Sequence, residues 1–112
     1  MNPKPAQIDT CARIEAAATD ILTLIEGLDG AEYARSRLTR SAAAACLREI
    51  AGLAAGLAPA GREAMPEVDW AAWVALHETL ARGGDAAREW AAASGLAEMT
   101  LQWMRVYRQA GM

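Results

Sequence analysis

The stretch from Met65 to Trp90, MPEVDWAAWVALHETLARGGDAAREW, decides how this chain is read. After Pro66, Trp70, Trp73, His77 and Leu80 recur at spacings of three and four, which puts them on one face of a helix. The spacing predicts that helix over Asp69 to Arg82. Asp69 stands where an N-cap is needed, because its carboxylate can accept from the free N–H groups of the first turn. Gly83 and Gly84 stop the helix, and Asp85 caps another predicted over Ala86 to Ala93.

Upstream, Ile14, Ala17, Ala18, Ile21, Ile25 and Leu28 form an apolar stripe that predicts a first helix over Ala6 to Leu28. Leu28-Asp29-Gly30 closes it. A second long helix is expected over Ala31 to Ala58, kinked or interrupted near Ser36 to Ser41. Its second half, AAAACLREIAGLAAGLAP, carries Ala51, Gly52, Ala55 and Gly56, which let a neighbouring helix approach closely. That half is expected to be the most buried part of the fold. Pro59 to Val68 reads as a loop. Downstream, Ser94-Gly95 is expected to separate the Asp85-capped helix from a last one over Leu96 to Gln109, with Leu96, Met99, Trp103, Val106 and Tyr107 as its stripe.

At 112 residues the chain has room for one modest core. About one quarter of it is Ala, 54% is hydrophobic and Phe is absent, a mixture that favours helices with small contact residues. The expected fold is all-α: a single-domain, up-and-down bundle of four to five helices over residues 1–112, with disorder only in the first few residues. A formal charge of −3 argues against a surface wholly given to nucleic acid, though not against a local basic patch. Ten of the eleven basic residues are Arg, which suits bidentate contact with phosphate or carboxylate. Cys11 and Cys46 form no Cys-x-x-Cys and read as reduced, buried thiols. MNPKPAQIDT lacks the apolar core of a signal peptide, and the run from Ile50 to Gly61 is too short to span a bilayer, so a cytoplasmic protein with no membrane association is expected.

Pro66-Glu67-Val68-Asp69-Trp70, then Val74 and Leu76, then Trp90, follow one another as in the HepT-like HEPN family, the helical toxins of minimal nucleotidyltransferase toxin-antitoxin systems. Gly27-Leu28-Asp29 before Tyr33, and Leu47-Arg48-Glu49-Ile50-Ala51-Gly52 leading to Leu57-Ala58-Pro59, extend the resemblance over roughly Ile14 to Trp90. It implies a HEPN-type bundle, a homodimer and a nucleotidyltransferase partner. The reactive positions depart from the family. His77-Glu78 stands where the family has Arg-Asn, Arg82 where it has His, Gly84 where it has the Tyr that some partners adenylylate, and Gly52 where it has Glu.

Members of that family are thought to cut RNA without metal, an Arg and a His from each protomer sharing one cleft. The chemistry needs a proton acceptor for a 2′-hydroxyl and a cation beside the phosphate. Two readings follow. In the first, the protein is a catalytically degenerate, dimeric interaction module, with Arg37, Arg40, Arg48 and Glu78 as its binding residues. In the second it is an endoribonuclease toxin with a rebuilt site, His77 as base and Arg82 as phosphate clamp. On the bland view, His77 is a partly buried structural histidine, and Arg35, Arg37 and Arg40 are solvated or paired with Asp29 and Glu32. The same view makes Trp70, Trp73, Trp90 and Trp103 packing residues rather than base-stacking platforms. Neither cofactor nor metal site is implied by a chain with one His.

Overall fold

The computed structural model describes residues 5–110, with side chains from residue 8 to residue 109; the tail expected at the first few residues lies outside them. Every regular element among the described residues is helical: α1 (Pro5–Ile25), α2 (Gly30–Arg35), α3 (Arg37–Gly56), α4 (Pro59–Ala64), α5 (Trp70–Ala81), α6 (Ala86–Ala91) and α7 (Ala97–Ala110). A π-helical turn over Ala92–Leu96 carries α6 into α7 without a break, so six separate helices result rather than the four to five expected.

The starts and stops have local causes. Asp29 caps α2 in a complete capping box, accepting from the Glu32 N–H while the Glu32 side chain accepts from the Asp29 N–H. Asp69 caps α5 through the Ala72 N–H and Asp85 caps α6 through the Arg88 N–H, both as expected. Ser36 divides α2 from α3, which places the expected interruption at one residue.

α1 packs along both α3 and α7, and α3 packs along α5, giving the order α7, α1, α3, α5 across a body of 44 × 27 × 18 Å. Ala17 and Ala18 of α1, with Ala43, Ala51 and Ala54 of α3, hold the central pair together, and Ile14, Ile21, Leu47 and Ile50 fill the space around them. These belong to one core cluster running from Cys11 to Met104. α5 and α7 stay further apart, and Trp73 spans the gap, its indole N–H donating to the Thr100 hydroxyl at 3.0 Å. Cys11 is buried with its sulfur 3.5 Å from that of Met65, and burial raises its thiol pKa; Cys46 is half-buried, and both are free thiols. No helix among the described residues is long and apolar enough to cross a membrane.

Four expectations need correction. The connection after Pro59 is not all loop, because proline suits the first turn of a helix and starts α4 there. Ser94-Gly95 does not end a helix: both residues face solvent, the Ser94 hydroxyl donates to the Trp90 carbonyl at 2.7 Å, and the π turn absorbs them. The α7 stripe is rotated. Ala97, Thr100, Leu101 and Met104 face the core, Trp103 and Tyr107 flank them, and Met99 and Val106 are exposed. In α3 the small residues that are buried are Ala43, Ala51 and Ala54, whereas a Cβ added at Gly52 or Gly56 would meet nothing within 4 Å.

Candidate functional site

The capping box at Asp29 sets the course of α2, turning Tyr33 into the core and leaving Arg35 at its outer end. α3 then begins at Arg37. Arg40, Ser41, Ala44 and Arg48 follow Arg37 at three, four, seven and eleven residues, so one face of α3 carries all five. Across from that face, Gly83 and Gly84 turn the chain with φ of +109° and +85°, and Asp85 starts α6. One turn into α6, Glu89 points inward.

Glu89 is 2% exposed, and a buried carboxylate is costly unless fully bonded. Here it is. Oε1 accepts from the Tyr33 hydroxyl at 2.9 Å and from Arg40 Nε at 3.0 Å; Oε2 accepts from Arg40 Nη2 at 3.0 Å and from the Asp85 N–H at 3.0 Å. Burial pushes the Glu89 carboxyl up, but the bonds from Arg40 and Tyr33, the Arg40 charge and the Asp85 N–H outweigh it and hold the pKa below the ordinary value. Burial, and then Glu89 itself, push the Tyr33 hydroxyl well above its usual range. Gly84 belongs to the same arrangement, since a Cβ there would lie 2.5 Å from Glu89 Oε2. Trp90 rests beside Tyr33, with ring centroids 5.6 Å apart.

Outside this buried group lies an open cleft of about 520 Å³, lined by Arg35, Arg37, Arg40, Ser41 and Arg48, with Gly83 and Glu89 at its edge. The cleft thus brings together Arg37, Arg40 and Arg48 of α3, and Arg35 joins them from α2. None of Arg35, Arg37 and Arg48 has a hydrogen-bond or ion-pair partner through its side chain among the described residues, and Asp29 and Glu32 are occupied with each other's backbone. Glu78 is exposed on α5 and does not line the cleft.

His77 and Arg82 lie elsewhere. Both are exposed, neither lines the cleft, and neither makes a side-chain hydrogen bond or ion pair among the described residues. Five helical residues apart, they point roughly 140° away from each other around α5. The partly buried histidine expected on the Trp face is thus not found. Trp70 is buried where the Met65–Val68 connection folds over it, its indole N–H donating to the Met65 carbonyl at 2.9 Å, and His77 two turns later has no such cover.

Glu89 escaped the sequence reading. Its signal was its place three and four residues before Ala92 and Ala93, which set it on the buried face of the helix. Among the described residues no group of three or more His, Cys, Asp or Glu side chains is placed to hold a metal ion. No protein-family model matches the chain, and no curated protein or solved structure matches it either.

Proposed function

We propose that the protein is a catalytically degenerate, HepT-like HEPN module that acts by binding, as a homodimer, with a nucleotidyltransferase-type partner. One observation carries the reading. The residues of the resemblance that give shape, Tyr33, Leu47, Ile50, Val68, Trp70 and Leu76, are built into the core, while His77 and Arg82 stand apart on an open surface with neither a shared pocket nor a bond between them. A general base and a phosphate clamp must converge on one substrate, and such divergence is unsuited to strand cleavage. Gly84, at the place of the modifiable Tyr, has no hydroxyl and lies against Glu89. For the dimer, support comes from the outward face of α3, where Ala45, Gly52, Ala55 and Gly56 are small residues at helical spacing beside the exposed Arg48 and Glu49.

The test has two arms. Light scattering on the purified chain should give twice the monomer mass, and Gly52→Trp, whose Cβ meets nothing within 4 Å in its own chain, should give a folded monomer. Incubation with single-stranded RNA should leave the strand intact. A wild-type chain that is monomeric retires the dimer, and cleavage abolished by His77→Ala or Arg82→Ala replaces the binding module with a ribonuclease.

A further inference from the structure

The geometry points to the cleft between α2, the first half of α3 and the Gly83 turn as a binding site for phosphate groups, contacted by Arg35, Arg37 and Arg48 and anchored by Arg40. It lies within one chain and does not depend on the dimer or on the family resemblance.

Like charges gathered on one concave wall repel one another and are held there at a cost unless an anion offsets them. Two exposed arginines elsewhere in the fold meet carboxylates, Arg13 reaching Glu49 at 3.4 Å and Arg108 pairing with Glu15, whereas Arg82 and Arg105, outside the cleft, have no such partner among the described residues. In the cleft, acid is present only as Glu89, and Arg40 and Tyr33 already saturate it. The local balance is therefore positive in a chain whose formal charge is −3.

Arg40 is held by two bonds to Glu89, so its guanidinium is fixed in orientation before any ligand arrives. A fixed fork loses less entropy on binding an oxyanion than a free one. Arg37 lies one turn before it and Arg48 two turns after it, a span of roughly 16 Å along the helix axis, long enough for more than one phosphate. The Ser41 hydroxyl adds a neutral donor between them. Ser36 makes no side-chain cap, so the positive end of the 20-residue helix α3 adds to the same field beside Arg37. No aromatic side chain lines the cleft, which removes base stacking as a source of affinity. What remains suits phosphate oxygens, either of a phosphodiester strand or of a free polyphosphate.

The experiment measures binding of a fluorescein-labelled single-stranded RNA oligomer by anisotropy across a salt series, with inorganic pyrophosphate as competitor. The wild-type chain should bind. Arg37→Ala combined with Arg48→Ala should weaken binding by roughly tenfold or more and flatten the slope of log K against log salt by about 1.4, the share of two phosphate contacts on a single strand. Arg105→Ala, which removes one arginine charge outside the cleft and is compared with Arg48→Gln alone, should change the affinity by less than about twofold. Arg48→Gln alone serves if the double variant fails to fold. Displacement by pyrophosphate identifies a free polyphosphate as sufficient, and binding that resists it identifies the phosphodiester backbone. The site is overturned if neither probe binds, if Arg105→Ala costs as much as the cleft substitutions, or if polyglutamate competes as well as unlabelled strand. A monomeric chain that still binds would retire the proposed dimer and leave the cleft standing.

Discussion

Glu89 sets the pH behaviour of the fold. In the unfolded chain its carboxyl titrates near the ordinary 4.5, and in the fold its pKa is lower. The unfolded state therefore takes up a proton first as pH falls, and the stabilisation that Glu89 provides, complete above about pH 5, is lost as pH drops through the folded pKa. Urea unfolding at pH 7 and pH 4 should show this loss for the wild-type chain and a smaller one for Glu89→Gln, which has no proton to gain. At pH 7 that substitution should cost about 2 kcal/mol, because an amide turns a donor toward Arg40 or the Asp85 N–H where an acceptor is needed. Equal stability of the two proteins at pH 7 would mean that the four bonds contribute nothing net. Of the arginines, Arg37 and Arg40 were legible as sharing one helical face by spacing, and Arg48, eleven residues after Arg37, falls on it too. Glu89 was not. A carboxylate in the run Ala-Arg-Glu-Trp-Ala looks solvated until a partner from α3, 49 residues earlier, is brought beside it. His77 failed in the opposite direction, because spacing gives an angle around α5 but not what covers that angle.

Single residues decided less of the helices than helical periodicity did. α1, α3 and α5 were legible in extent because each carries a stripe of Ile, Leu, Ala or Trp and a polar residue or Gly at its ends. Periodicity misled where the largest apolar side chains were assumed to mark the inner face. In α7 the inner positions are Ala97 and Thr100 together with Leu101 and Met104, and Thr100 is placed inward where its hydroxyl meets the Trp73 indole. The same substitution of small for large misplaced the α3 glycines. Gly52 lies inside that helix with nothing opposite it, so its missing side chain serves no contact within the chain. Gly52→Ala should therefore stabilise the fold by about 0.5–1 kcal/mol, the difference in backbone entropy, without strain in the folded state. Denaturant unfolding at low protein concentration, where any dimer is dissociated, measures this directly. A loss of stability there would mean that Gly52 is packed within the chain after all. At the far end of α3, Arg62 from α4 donates to the Ala54 carbonyl at 2.9 Å, a C-terminal cap that makes α4 part of how α3 ends.

Across the whole molecule, the helices form a chain of neighbours, α7 against α1, α1 against α3 and α3 against α5, that would be an open sheet of helices without a closing contact. Glu89 of α6, bonded to Tyr33 and Arg40, supplies one such contact, and Trp73 supplies the one between α5 and α7. It is fully buried, spans the space between α5 and α7, and places its only polar atom on the hydroxyl of Thr100, which is 1% exposed. The bond joins elements 27 residues apart in sequence, so it forms only when the bundle closes. Trp73→Phe removes the donor and part of the ring, and should cost about 2–3 kcal/mol from the vacated space and the hydroxyl left without its partner. Thr100→Val keeps the volume but strands the indole N–H, and should cost about 1–3 kcal/mol. In the double variant both polar atoms are gone, so the combined cost should fall short of the sum of the single ones by about 1 kcal/mol or more. Thermal and urea unfolding of the four proteins complete the cycle. Strictly additive costs would mean that α5 and α7 are held together by apolar burial alone, and that the hydroxyl of Thr100 is incidental to closure.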